Sequence, residues 1–171
     1  MDFQAALEKN KAKILDLWFD ATIRTYPEDT ARMFLKIKNR FDNPVGSMTW
    51  QSLNDTFSQL SGPLNSDSLE KALDPVIRIR AIQSFTPSQA VGFVFELKSI
   101  VKKVLGSTLE DTFDRNVDQI GLAAFNRFMK CREEIFLLKA NEAKDRIHSA
   151  FKRAGLVSEL EENGLPGSNK S

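Results

Sequence analysis

Cysteine and histidine are almost missing from this sequence, with Cys131 and His148 the sole examples in 171 residues. One cysteine excludes an internal disulfide, and one residue of each type is too few for a metal centre. A glycine-rich phosphate loop is also missing. So are strand signals: no stretch keeps a two-residue alternation, and no Asn-Gly joins β-branched runs. Charge of one sign is not in excess, because 24 Lys and Arg face 23 Asp and Glu. That balance gives no electrostatic reason to expect nucleic acid or an acidic membrane surface. Long apolar runs are absent too. Nothing approaches the roughly 18–20 apolar residues of a membrane span, and charges interrupt the opening MDFQAALEKNKAKILDLWFD, unlike the apolar core of a secretory signal. The expectation is a soluble cytoplasmic protein, without cofactor or metal and without membrane insertion.

What is present is helical spacing. The 42% hydrophobic content suits one domain with its own core. Phe3, Leu7, Ile14, Leu17, Trp18 and Ala21 share one broad stripe. Pro27 restarts the chain, and Glu28, Asp29 and Thr30 form an acidic first turn for a helix through Phe34, Ile37 and Phe41. Asp42–Gly46 reads as a turn. Trp50, Leu53, Phe57 and Leu60 define the next helix, ended by Gly62 and Pro63. Another runs from about Asp67 to Ser84, kinked at Pro75 or restarted there by Asp74. Thr86, Pro87 and Gln89 spell a capping box with proline at the first helical position. The helix they open carries Ala90, Val91, Phe93, Val94, Phe95 and Leu97 round most of its surface, as a central buried helix does, and Gly106 closes it. Ser107 and Glu110 form a second capping box. The last helix then extends from about Thr108 to Arg153, interrupted by one glycine, Gly121. These elements predict an all-α bundle of about six helices with a long C-terminal helix. The domain covers residues 1–154, and a polar, disordered tail covers 155–171.

The candidate sites are few. His148 reads as an exposed helix residue, so neither catalysis nor haem ligation is expected of it. Cys131 falls on the apolar stripe of the last helix, as a small buried side chain does. Trp18 and Trp50 fit core stripes or, alternatively, the wall of an apolar ligand cavity. The two arginines of VIRIRAIQ differ. At about 100° per residue, Arg80 joins Leu69, Leu73, Val76 and Gln83 on the apolar side. Arg78 points away, four residues after Asp74 and placed to pair with it. A buried guanidinium needs a carboxylate or several carbonyls. Arg80 with Gln83 is therefore either an anchor for helix ends and loop carbonyls or part of a ligand site. No catalytic residue is nominated.

The stretches NPVG (43–46) and RIRAIQSFTPSQAVGFVFELK (78–98), with the lead-in LWFDATIRTYP (17–27), resemble the N-terminal domain of RsbR-type stressosome proteins, the RsbT co-antagonist RsbRD N-terminal family. The likeness covers roughly Leu7 to Leu105. It implies a globin-like helical fold without haem, usually dimeric, acting as a sensory input. Family members commonly continue into a STAS domain or a histidine kinase. Here a polar tail follows, so a free-standing, non-catalytic regulatory module working through protein contacts is expected, with a small-molecule carrier as the alternative. Its protein partner is not specified by the sequence. A homodimer is expected through the last helix, at Phe128, Ile135 and Leu138, with Phe125, Met129 and Phe136 flanking.

Overall fold

A computed structural model describes residues 2–36, 42–106 and 108–155. These residues form α-helices and connecting turns, with no strand among them. The helices are α1 (Phe3–Lys9), α2 (Lys11–Ile23), α3 (Glu28–Lys36), α4 (Pro44–Ser58), α5 (Ser66–Ile82), α6 (Pro87–Val91), α7 (Phe93–Leu105) and α8 (Asp111–Arg153). A short 3₁₀ turn, Gln59–Ser61, follows α4. The chain divides into two units, Met1–Arg132 and Glu133–Ser171.

Eight α-helices stand among the described residues, where about six were expected, because two long stripes are each cut once. Asn10 separates α1 from α2. Its side-chain amide donates to the Ala6 carbonyl at 2.8 Å, the local competition with helix geometry that asparagine offers. The break changes which residues are covered: Leu15 and Phe19 are buried, while Leu17 is 36% exposed. Gly92 separates α6 from α7, where one continuous helix was expected. Phe95, expected in the buried set, is 41% exposed. The segment read as a turn at 42–46 instead starts a helix. Asn43 accepts a hydrogen bond from the Val45 amide, Pro44 takes the first helical turn, and Gly46 is buried inside α4. Pro75 does not end α5; the ladder bond it forfeits does not outweigh the packing of Leu73, Val76 and Ile77, each 1% exposed or less.

Other local expectations hold. Thr86 and Gln89 form the reciprocal capping box with Pro87 at the start of α6. Gly106 ends α7 in the left-handed conformation, φ 63°, which glycine adopts without steric penalty. Ile37, Phe41, Ser107 and the tail from 156 onward lie outside the described residues.

The core of the first unit lies where α4 packs on α5 and α2 on α7. Ser52 of α4 donates its hydroxyl to the Ala72 carbonyl of α5. Trp18 of α2, fully buried, donates its indole N–H to the Phe93 carbonyl of α7 at 2.7 Å. Phe113, Val117, Ile120, Ala124, Phe128 and Cys131 of α8 complete this core. Gly121 has a steric reason: the ring of Phe95 lies so close to its backbone that a Cβ there would overlap it. In the second unit, residues 133–155 are exposed except for Ile135, which is half-buried.

Candidate functional site

Arg80 is the largest charged group in the interior, with 0% of its surface exposed. Its register on α5 follows from the stripe Leu69, Leu73, Val76, all buried, and it sits one turn after Val76. Arg78 is exposed and donates to Asp74 at 3.2 and 3.4 Å. The two arginines thus face opposite ways, as the helical period requires.

The Arg80 guanidinium is held by neutral groups. One terminal nitrogen donates to the Thr22 carbonyl at 3.0 Å and to the Thr25 hydroxyl at 2.8 Å. The other donates to the Gln89 carbonyl at 3.3 Å. Three aromatic rings surround the cation: Phe85 and Phe93 with centroids 4.9 Å away and Tyr26 at 5.2 Å. Their π faces offset part of the lost hydration. Tyr26 and Phe85 meet edge to face at 5.3 Å. Among the described residues Arg80 has no ion pair with a carboxylate. Burial pulls its pKa down to about 10, with the Tyr26 phenol opposing, so it stays charged at neutral pH. Burial pushes the Tyr26 phenol up, and the Arg80 charge acts against that shift.

Arg127 of α8 shows the contrasting solution. It is 8% exposed, and it binds Asp74 at 2.6 Å and Glu70 at 3.2 Å. Burial raises the Asp74 carboxyl, but hydrogen bonds from Arg78 and Arg127 outweigh burial and hold it below the usual carboxylate range. Lys98 similarly bridges Asp114 at 2.9 Å and Asp118 at 2.8 Å. Compared with these two cations, Arg80 is neutralised by dipoles and rings.

Beside Arg80 opens a cleft of about 530 Å³ lined by Thr25, Tyr26, Pro27, Thr30, Gln83, Ser84, Phe85 and Gln89. Thr25, Tyr26, Phe85 and Gln89 also touch the guanidinium, so the cation lies directly behind this wall. Gln83 lies in the wall with its amide oxygen buried and unpartnered.

The sequence-expected residues are therefore only partly gathered. Arg80 and Gln83 meet at the cleft. Trp18 reaches the cluster through Phe93, whose ring lies 6.2 Å from its own. Trp50 does not join; it packs edge to face on Phe19 at 5.9 Å. Tyr26, Phe85, Thr22 and Thr25 were not singled out, and Gln89 was read only as part of a helix cap. Each stands in the stretches 17–27 and 78–98, whose meeting is a tertiary event invisible to helical periodicity. Phe128 requires correction as an interface residue: it is 1% exposed and packed in the core. The exposed apolar residues of α8 are its neighbours Leu122, Phe125 and Met129, and later Phe136, Leu137 and Leu138. His148 is exposed on α8. Among the described residues no group of His, Cys, Asp and Glu could hold a metal ion, and no helix is long and apolar enough to cross a membrane.

Helices without a strand, packed round a dipole-held arginine, define an all-α bundle domain. A family model described as the RsbT co-antagonist protein RsbRD N-terminal domain matches residues 12–143. The chain belongs to this family and is a regulatory domain of the stress-signalling class. An uncharacterized protein of Archaeoglobus fulgidus is 25% identical over 136 residues, covering 78% of this chain and 84% of its own length. No solved structure matches the chain.

Proposed function

We propose that this domain is a non-catalytic sensory module of the cytoplasm, without bound haem, whose output is a protein contact made as a homodimer through α8. The observation that carries this reading is the apolar surface of that helix. Leu122 is 64% exposed, Met129 47% and Phe136 70%, recurring every seven residues along the helix, and charged residues such as Lys139, Glu142 and Lys144 stand among the later exposed positions. Apolar surface gains about 25 cal/mol per Å² when removed from water. Two-fold pairing is the commonest way a chain covers such a stripe with itself. The family's regulatory class and the globin-like arrangement implied by the sequence resemblance agree with this use.

Light scattering at micromolar concentration tests it. A mass near twice 19.3 kDa is expected, and a mass near 19.3 kDa rejects the dimer. Met129→Asp and Phe136→Asp should shift the pair towards monomer while leaving the helical content intact. Phe128→Asp is not a usable probe, because it places a charge in the core. The purified protein is expected to show no Soret band; stoichiometric haem uptake abolished by His148→Ala would overturn the haem-free reading.

A further inference from the structure

We propose that the cleft beside Tyr26 binds a small organic carboxylate with an aromatic or short apolar body, recognised through the field of Arg80 behind its wall. This deepens the sensory reading by naming the chemical class of its signal, and it rests on that reading.

Three observations converge. The first is charge. Arg80 is fully buried and balanced by carbonyls, a hydroxyl and rings, whereas Arg127 and Lys98 each hold two carboxylates. Among the described residues no acidic side chain lines the cleft. Glu28, next in sequence to the lining Pro27, is held by Arg32 at 2.5 Å. A cation in low dielectric with neutral surroundings projects a strong field a few ångströms beyond itself.

The second is polar satisfaction. Among the described residues five buried side-chain polar atoms lack a hydrogen-bond partner, and three belong here: Arg80 Nε, Tyr26 Oη and Gln83 Oε1. Buried polar groups are ordinarily paired, so two such residues in the wall, Tyr26 and Gln83, with Arg80 behind it, mark a place where the fold leaves bonding capacity. The Gln83 amide can present its donor or its acceptor by a half-turn.

The third is shape and lining. Tyr26, Pro27 and Phe85 offer apolar surface, while Thr25, Thr30, Ser84 and Gln89 add hydroxyl and amide groups. Apolar walls with a few convergent polar groups are the ordinary makeup of a small-molecule site. An anion gains from Arg80; a cation of the same size is repelled by it. The apolar body of the ligand would lie against the two rings.

Sodium benzoate against benzamide, at constant ionic strength and pH 7.5, tests this by amide chemical shifts of the isotopically labelled full chain. Benzoate is expected to give saturable shifts confined to residues 25–30 and 83–89. Benzamide, which keeps the ring and loses the charge, should bind at least about tenfold more weakly. Arg80→Gln should abolish binding, but it also endangers the fold. Tyr26→Phe and Gln83→Leu each remove one polar group from the wall, and in folded protein each should weaken benzoate by about fivefold or more. Equal affinity for benzoate and benzamide, shifts elsewhere, or no saturation overturns the proposal. A dimer that fails to bind benzoate refutes the cleft and leaves the protein-contact reading standing. A monomer that binds benzoate at the cleft does the reverse.

Discussion

Arg80 and Arg78 are two residues apart, and the fold treats them oppositely. Arg80→Met leaves the Gln89 carbonyl and Thr25 hydroxyl without this donor and should lower stability by about 2–4 kcal/mol. Arg78→Met removes an exposed ion pair with Asp74 and should change stability by no more than about 0.5 kcal/mol. Chemical denaturation of the two variants compares them directly; equal losses would contradict the geometry. Asp74 carries a pH dependence. Its folded carboxyl ionises more readily than an unfolded one, so the folded state is favoured fully above the ordinary carboxylate range. That contribution fades as pH falls through the lower folded value. Asp74→Asn should therefore flatten the acid side of the stability profile measured between neutral pH and pH 3. The direction of Arg80 was legible from its position in an apolar stripe. Its ring partners were not, because Tyr26 and Phe85 reach it from other parts of the chain.

At the scale of elements, the capping box of α6 is exposed and short-range. Thr86→Ala removes the acceptor of the Gln89 amide, 3.3 Å away. A loss of about 1 kcal/mol is expected, seen as faster hydrogen exchange in α6. At the end of α7, Gly106→Ala forces a side chain into the left-handed region and should cost about 1 kcal/mol, with asparagine tolerated better; thermal unfolding of both variants checks the order. These termini were readable because a cap is written in three or four adjacent residues. The division at Gly92 and the start of α4 at Pro44 were not. Each depends on where packing turns the chain: Gly92 lies between buried Val91 and buried Phe93, and Gly46 is buried within α4. Gly121 was visible as an oddity in a long helix, yet its reason is the ring of Phe95 on α7.

Over the whole molecule, the all-helical class followed from a single recurring period, while the division of the α8 apolar residues into buried and exposed did not. A stripe read from spacing includes both the buried Phe128 and the exposed Leu138, and only packing separates them. If α8 pairs with a second copy, unfolding temperature should rise with protein concentration, and Phe136→Asp should remove that dependence. The composition has one more consequence. The chain contains a single tyrosine, and that tyrosine is Tyr26, in the wall of the cleft. Every change in tyrosine absorbance therefore originates beside Arg80, and the phenolate band is read as a difference spectrum over the constant absorbance of the two tryptophans. Alkaline titration followed by light should show one phenolate forming, later than the ordinary value of about 10, because burial delays it more than the Arg80 charge hastens it.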